Sequence, residues 1–254
     1  MNAISQERVV LVTGGTRGIG RAIALRLAKE RPRHIRLVYC ANHDAARGTL
    51  AEIEAMGVSA SIAICDVGDA QMQKEVFDKL RDEFGRLDVF VANAARTAYR
   101  SAVEMDLRSW RRTMQLNTEA FLTGSQLAAE LMKLNGGGHI IGLSSLGSRY
   151  YTPSYVALGT AKAAIENLAR YLAVELAPFG IRVNVVCGGF IDTESTRMIP
   201  EFRNIADSVV ARTPAARLGQ PDDLAAVVAF LCSPEADWIR GQTIVADGGF
   251  SLAL

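Results

Sequence analysis

The sequence predicts an α/β fold, a doubly wound parallel sheet built as a single domain over residues 1–254. Short apolar runs alternate with longer helical patterns along the whole chain, which is the pattern of a sheet with helices on its faces. The runs are continuously apolar and β-branched rather than alternating, as expected of strands buried on both sides. At 254 residues and 49% hydrophobic content, the chain is long enough to fill one large core.

The elements follow in order. A strand at 9–13, Val-Val-Leu-Val-Thr, passes through a glycine-rich turn into a helix at 19–29. Strands at 35–40 and 61–65 are followed by helices at 45–56 and 72–84. A fourth strand at 87–92 leads eventually to a helix at 118–134, and a fifth at 139–144 to a helix from about 155 to 177. A sixth strand, 182–187, precedes the one long irregular stretch, 188–214, read as a substrate loop with a short helix of its own. A helix at 222–231 and a strand at 243–246 complete the pattern.

Composition excludes several classes of function. Net charge is +1 with no basic block, so no electrostatic footprint for nucleic acid is present. No run reaches membrane-spanning length, and Met1-Asn-Ala-Ile-Ser-Gln-Glu-Arg8 lacks the apolar heart of a signal peptide. Cys40, Cys65, Cys187 and Cys232 are scattered singly, the usage of a cytoplasmic protein rather than of a disulfide framework. His34, His43 and His139 share no ligand spacing, so no metal is expected.

The turn after the first strand reads Thr13-Gly-Gly-Thr-Arg-Gly-Ile-Gly20. Between a strand and a helix, such glycines bring backbone close to a pyrophosphate at the positive helix N-terminus, so a Rossmann-like dinucleotide site is predicted. Its Gly-x-x-x-Gly-x-Gly spacing resembles the short-chain dehydrogenase/reductase family. Further positions carry that resemblance across nearly the whole chain: Cys65-Asp66-Val67, Ala92-Asn93-Ala94-Ala95, Leu116-Asn117-Thr118, Leu143-Ser144-Ser145, Gly188-Gly189-Phe190-Ile191-Asp192-Thr193 and Asp247-Gly248-Gly249. It implies cofactor contacts at Gly14, Thr16, Arg17, Gly18, Ile19, Gly20, Asn42, Asp66, Val67, Asn93, Ala94, Lys162, Gly189, Ile191 and Thr193, with Asp66 at the adenine ring. It also implies Tyr155, Lys162, Ser145 and Asn117 as the catalytic set.

The cofactor is expected to be NADPH rather than NADH. An NAD site commonly ends its second strand in a carboxylate. Here the strand ends Tyr39-Cys40-Ala41-Asn42-His43, and no acid appears before Asp44. Arg17 can pair with a 2′-phosphate, unless it is simply a solvated surface arginine.

Tyr155 precedes Lys162 by seven positions, and Leu158 stands where the family's commoner Tyr-x3-Lys spacing would place tyrosine. Three residues are about 4.5 Å along a helix, and both intervals keep the pair on similar faces. Lys162 is expected to hold the nicotinamide ribose and lower the phenol's pKa, with Tyr155 donating to developing oxyanion charge. Tyr-x6-Lys resembles the NADPH-dependent enoyl-acyl-carrier-protein reductases of this family. The implied substrate is an enoyl thioester, on acyl-carrier protein or coenzyme A, in fatty-acid or related synthesis. The alternatives are a carbonyl reductase or alcohol dehydrogenase and, more remotely, a non-catalytic dinucleotide-binding regulator.

Ser145 either donates to the substrate or merely forms a turn, and Tyr150 and Tyr151 either line the pocket or pack. Met198, Ile199, Phe202 and Val209 suggest an apolar lid, with Arg197, Arg203 and Arg212 as a basic rim or a solvated face. The helix near 155–177 is apolar around most of its circumference, carrying Leu158, Ala161, Ile165, Leu168, Tyr171, Leu172 and Val174. A sheet covers only one side of a helix, so a second copy of the chain, in a tetramer or dimer, is expected to cover another.

Overall fold

A computed structural model describes residues 7–197 and 202–253. Its seven strands are β1 (Val9–Thr13), β2 (His34–Tyr39), β3 (Ala60–Ile64), β4 (Val89–Ala92), β5 (Gly138–Ser145), β6 (Ile181–Gly188) and β7 (Thr243–Ala246). All pairings are parallel, in the order β3-β2-β1-β4-β5-β6-β7. The order reverses between β1 and β4, which opens a crevice at their carboxyl ends.

Alternate strand residues feed two separate cores, which explains why the strands read as unbroken apolar runs. Val9 and Leu11 join Phe90, Phe121, Ile140, Ile165 and Val183 on one side. Helices α3 (Ala70–Phe84), α5 (Ala120–Leu134) and α6 (Val156–Leu176) cover that side. Val10 and Val12 join Ile35, Leu37, Val91, Ile141 and Val186 on the other, under α1 (Gly18–Ala28) and α9 (Pro221–Leu231). Helix α2 (His43–Ala55) adds Ile53 there.

The differences from the sequence reading are local. Helix α4 (Leu107–Met114) was not anticipated. It buries only Thr113, its short stripe of Leu107, Trp110 and Met114 standing among three arginines, and its start is fixed by Asp106 accepting from the Ser109 N–H at 2.8 Å. A π turn over Gln115–Glu119 joins it to α5, which therefore starts two residues later than expected. Tyr155 is the residue before α6, with φ −109° and ψ 7°, rather than part of the helix.

The stretch read as irregular is more ordered than expected. Gly188 pairs in register with Ser145 and Ala246 as the last residue of β6. Beyond it lie α7 (Glu194–Arg197) and α8 (Phe202–Arg212). Met198 and Ile199 fall outside the described residues, as do the side chains of Phe202 and Arg203.

Phe121 is 2% exposed and its ring meets Gly142 of β5 beneath the site. Phe121→Ala is expected to cost about 3–5 kcal/mol, read as a lower denaturation midpoint. A midpoint unchanged within error would show that this face collapses around the lost ring.

Candidate active site

The glycine turn is built by close approach. Gly14 has φ +61°, and a Cβ there would come within 2.9 Å of Asn93 Nδ2. Asn93 in turn donates to the Thr13 and Gly14 carbonyls, each at 3.1 Å, while its own N–H donates to Thr13 Oγ1. The turn after β4 is thereby bonded to the turn after β1. Gly20 was expected to approach a pyrophosphate. Its stronger constraint is internal, since a Cβ would sit 2.0 Å from the Gly14 carbonyl oxygen.

Gly18 is different. At φ +51° its nearest neighbours to an added Cβ are Thr193 atoms at 3.8–3.9 Å, so space lies open between the start of α1 and the loop after β6. That cradle brings Arg17, Gly18 and Thr193 to one crevice. Arg17 itself is exposed and extended at the start of α1, while Thr16 is buried and its carbonyl accepts from Thr49. Gly189 fits tightly against Asp247, 2.7 Å from an added Cβ, and its N–H donates to the Ala246 carbonyl. Ile191 bridges to Gly219 and is buried. These residues fit a dinucleotide laid over the carboxyl ends of β1, β4 and β6.

Among the described residues, the first carboxylate after β2 is Asp44, exposed and paired with Arg47 at 2.6 Å. The Asn42 side chain caps α2 by accepting from the Ala45 N–H. Asp66 is engaged too: it accepts from the Gly68 N–H at 2.9 Å and pairs with Arg112 of α4.

Tyr155, Ser145 and Lys162 converge at the end of β5. The Tyr155 and Ser145 hydroxyl oxygens lie 3.1 Å apart. Lys162, one full helical segment further on, is buried and donates from Nζ to the Leu143 carbonyl at 2.7 Å. Burial pushes its pKa down to about 8. The phenol behaves differently from the expectation. Burial pushes Tyr155 up to about 12, and the Ser145 hydroxyl is the group that draws it back down.

Asn117 sits in the π turn. Its Nδ2 donates to the Thr113 and Arg96 carbonyls at 2.8 and 3.0 Å, so it satisfies backbone that the widened turn leaves open. Its Oδ1 is buried with no hydrogen-bond partner among the described residues, an acceptor facing the Lys162 side of the core.

Tyr150 and Tyr151 are both exposed in the single chain, so neither packs into its core. The basic rim is largely committed elsewhere: Arg197 forms a two-pronged pair with Asp192, and Arg212 lies 5.3 Å over the Phe250 ring.

Two neighbours of the site escaped the sequence reading. The Tyr99 ring lies 6.2 Å from that of Tyr155, and Arg100 donates its N–H to the Ser154 carbonyl. Glu166, 4% exposed, lies one turn beyond Lys162 and binds three residues of the β5–α6 loop. An acid four places after Lys162, inside an otherwise apolar run, was the available signal for it.

A family model described as "Enoyl-(Acyl carrier protein) reductase" matches residues 14–251. The 1-cyclohexenylcarbonyl-CoA reductase of Streptomyces collinus is 40% identical over 97% of this chain and 88% of its own. The 3-oxoacyl-[acyl-carrier-protein] reductase FabG of Staphylococcus aureus is 35% identical, over 97% of this chain and 99% of its own. The structure of a 7α-hydroxysteroid dehydrogenase complexed with NADH and 7-oxo glycochenodeoxycholic acid superposes with a TM-score of 0.91. It is 31% identical, covering 98% of this chain and 97% of that one. With the sheet order, the glycine turn and these likenesses together, the chain belongs to the short-chain dehydrogenase/reductase family and is an NAD(P)H-binding oxidoreductase.

Proposed function

We propose that the protein reduces the carbon–carbon double bond of an enoyl thioester with NADPH. The observation that carries this reading is the place of Tyr155: seven residues before Lys162, ahead of α6, with its hydroxyl 3.1 Å from Ser145. The 40% identical relative bears the name of an α,β-unsaturated CoA thioester reductase, which supports the same class.

The bound nicotinamide supplies the hydride, delivered to the substrate's β-carbon. Gly14, Gly18, Ile19, Gly20, Asn93, Ala94, Gly189, Ile191 and Thr193 would hold the dinucleotide, with Lys162 at the nicotinamide ribose. Negative charge would then collect on the thioester carbonyl oxygen, three bonds from the hydride acceptor, until the α-carbon takes a proton from solvent. Tyr155, neutral with its pKa at about 12, donates its hydroxyl proton in a hydrogen bond to that oxygen. Ser145 orients the phenol or donates alongside it. Asn117 Oδ1 offers an acceptor through which water can return a proton to the site. Arg17, and the pairing of Asp44, the first carboxylate after β2, with Arg47, favour the 2′-phosphate of NADPH.

The second reading is a carbonyl reductase, favoured by the short distance between Ser145 and Tyr155 hydroxyls, which can both reach one carbonyl oxygen. Purified protein given crotonyl- and acetoacetyl-CoA with NADPH or NADH separates the two. NADPH oxidation with the crotonyl thioester is expected, at least about tenfold more efficient than with NADH, and Tyr155→Phe should slow it about 10²–10⁴-fold. Turnover of the β-keto thioester alone would replace the enoyl reading with the carbonyl one.

The pH dependence follows from the site's two titrating groups. Lys162 at about 8 loses its charge as pH rises through that value, whereas Tyr155 at about 12 stays protonated. The kcat/KM for NADPH is therefore expected to fall above pH 8 by about tenfold per unit. A profile flat to pH 10 would remove the Lys162 charge from cofactor binding.

Tyr171 and Val174 of α6 stand exposed, as do Leu134, Trp238 and Leu252. We take the α6 face as the contact with a second copy of the chain. Sedimentation is expected to give a dimer or tetramer that Val174→Glu weakens. A monomer at micromolar concentration would count against it.

A further inference from the structure

Glu166 has no part in the chemistry described above, yet it is the most heavily engaged carboxylate near the site. Its Oε1 accepts from Ser144 Oγ and Ser148 Oγ, each at 2.6 Å. Its Oε2 accepts from Arg149 Nε and Nη2 at 3.2 and 3.1 Å. Four hydrogen bonds fill the acceptor sites of a carboxylate that is almost wholly buried. A buried charge so paired is hard to remove without cost, and the bonds to ionised groups are the strong kind.

All three partners belong to the arc 144–149, and that arc is what touches Tyr155. Ser145, next to Ser144, lies 3.1 Å from the phenol oxygen. Gly147, next to Ser148, lies so close to the Tyr155 ring that an added Cβ would be 2.5 Å from Cδ1. The Gly147 carbonyl oxygen in turn lies 2.5 Å from where a Cβ on Gly159 would be. The arc is thus wedged between the ring and the first turns of α6.

Tyr155 caps α6: its carbonyl accepts the Gly159 N–H at 2.7 Å, but its own φ and ψ are not helical. Ser154 before it has φ +58°, a conformation unusual for a residue with a side chain. Its carbonyl is bonded to the Arg100 N–H, which steadies the opposite side of the loop. With non-helical φ and ψ, the direction of the tyrosine side chain depends on the loop as well, and the loop is tied to α6 at Glu166.

We propose that Glu166, with Arg149, is a positioning residue: by clamping Ser144, Ser148 and Arg149 it holds Ser145 and the Tyr155 phenol in register with Lys162. This rests on the reading of Tyr155 as hydrogen-bond donor. Displacing a donor by about 1 Å costs on the order of 100-fold in rate, so loosening the clamp acts on turnover rather than on cofactor affinity.

The test uses the full chain and whichever of the crotonyl and acetoacetyl thioesters it reduces. Glu166→Gln and Arg149→Met are measured for kcat, KM for NADPH and thermal midpoint, each alone and combined with Tyr155→Phe. Each single variant is expected to lower kcat about 10- to 100-fold with KM for NADPH within about twofold. On the residual turnover of Tyr155→Phe, either change should add little, because the group it positions is already gone. If Glu166→Gln does not fold, Arg149→Met carries the test from the more exposed end of the pair. Unchanged kcat in both variants overturns the proposal. So does an equal fold-loss with and without the phenol, the mark of a merely structural role. Wild-type turnover by Tyr155→Phe would instead overturn the donor assignment, whatever Glu166 does.

Discussion

A side chain ahead of a helix is only as fixed as the chain that leads into it, and Tyr155 is in that position. Within a helix, backbone hydrogen bonds set both residues of a tyrosine–lysine pair, and the spacing alone determines their geometry. Here Lys162 has that support in full, whereas Tyr155 has only its carbonyl in the first helical bond, accepting from the Gly159 N–H. The Lys162 ammonium grips β5 at the Leu143 carbonyl, and one turn later Glu166 grips Ser144. Two successive turns of α6 are thus stapled to two successive residues at the end of one strand. The remaining contacts of the site, Ser145 to the phenol and Gly147 to its ring, hang from that double attachment.

The same economy appears on the cofactor side. Thr13, Gly14 and Asn93 bond the ends of β1 and β4 to each other where the sheet order reverses. Gly20 is packed against Gly14, so three of the turn's demands are met inside the protein. What stays open is the space beside Gly18 and Thr193 and the exposed Arg17. A site that satisfies its own backbone and leaves one cradle free is preorganised, and binding then orders little of the chain.

The fold was legible because its signals are local and redundant. Seven apolar runs gave seven strands to within two residues at each end, and the glycine turn sits between β1 and α1 as its spacing required. Helix α4 was hidden because it is short and arginine-rich: Leu107, Trp110 and Met114 recur at helical spacing, but Arg108, Arg111 and Arg112 stand among them and only Thr113 is buried. The π turn at Asn117 was hidden for another reason. It depends on a side chain taking over the Thr113 carbonyl, a contact that pattern reading does not see. Nor does motif spacing reveal the Glu166 clamp, whose partners lie 17 to 22 residues earlier in the chain. The phenol, expected to be depressed by the nearby Lys162 cation, is instead raised. Desolvation of a half-enclosed phenol is the cause.

That last point bears on which bond is reduced. Burial favours the neutral form of the Tyr155 phenol. That form serves well as a donor to oxyanion charge, which reduction creates. Where the charge arises depends on the substrate: at the atom bonded to the hydride acceptor for a ketone, further along the conjugated system for an enoyl thioester. At the position of the commoner spacing stands Leu158, 7% exposed and part of the helix interior, so no second phenol can take that nearer place. On the proposed reading Tyr155 is the donor, about one turn nearer the loop, and an elongated acceptor with its oxygen displaced from the reacting carbon would match a donor so displaced.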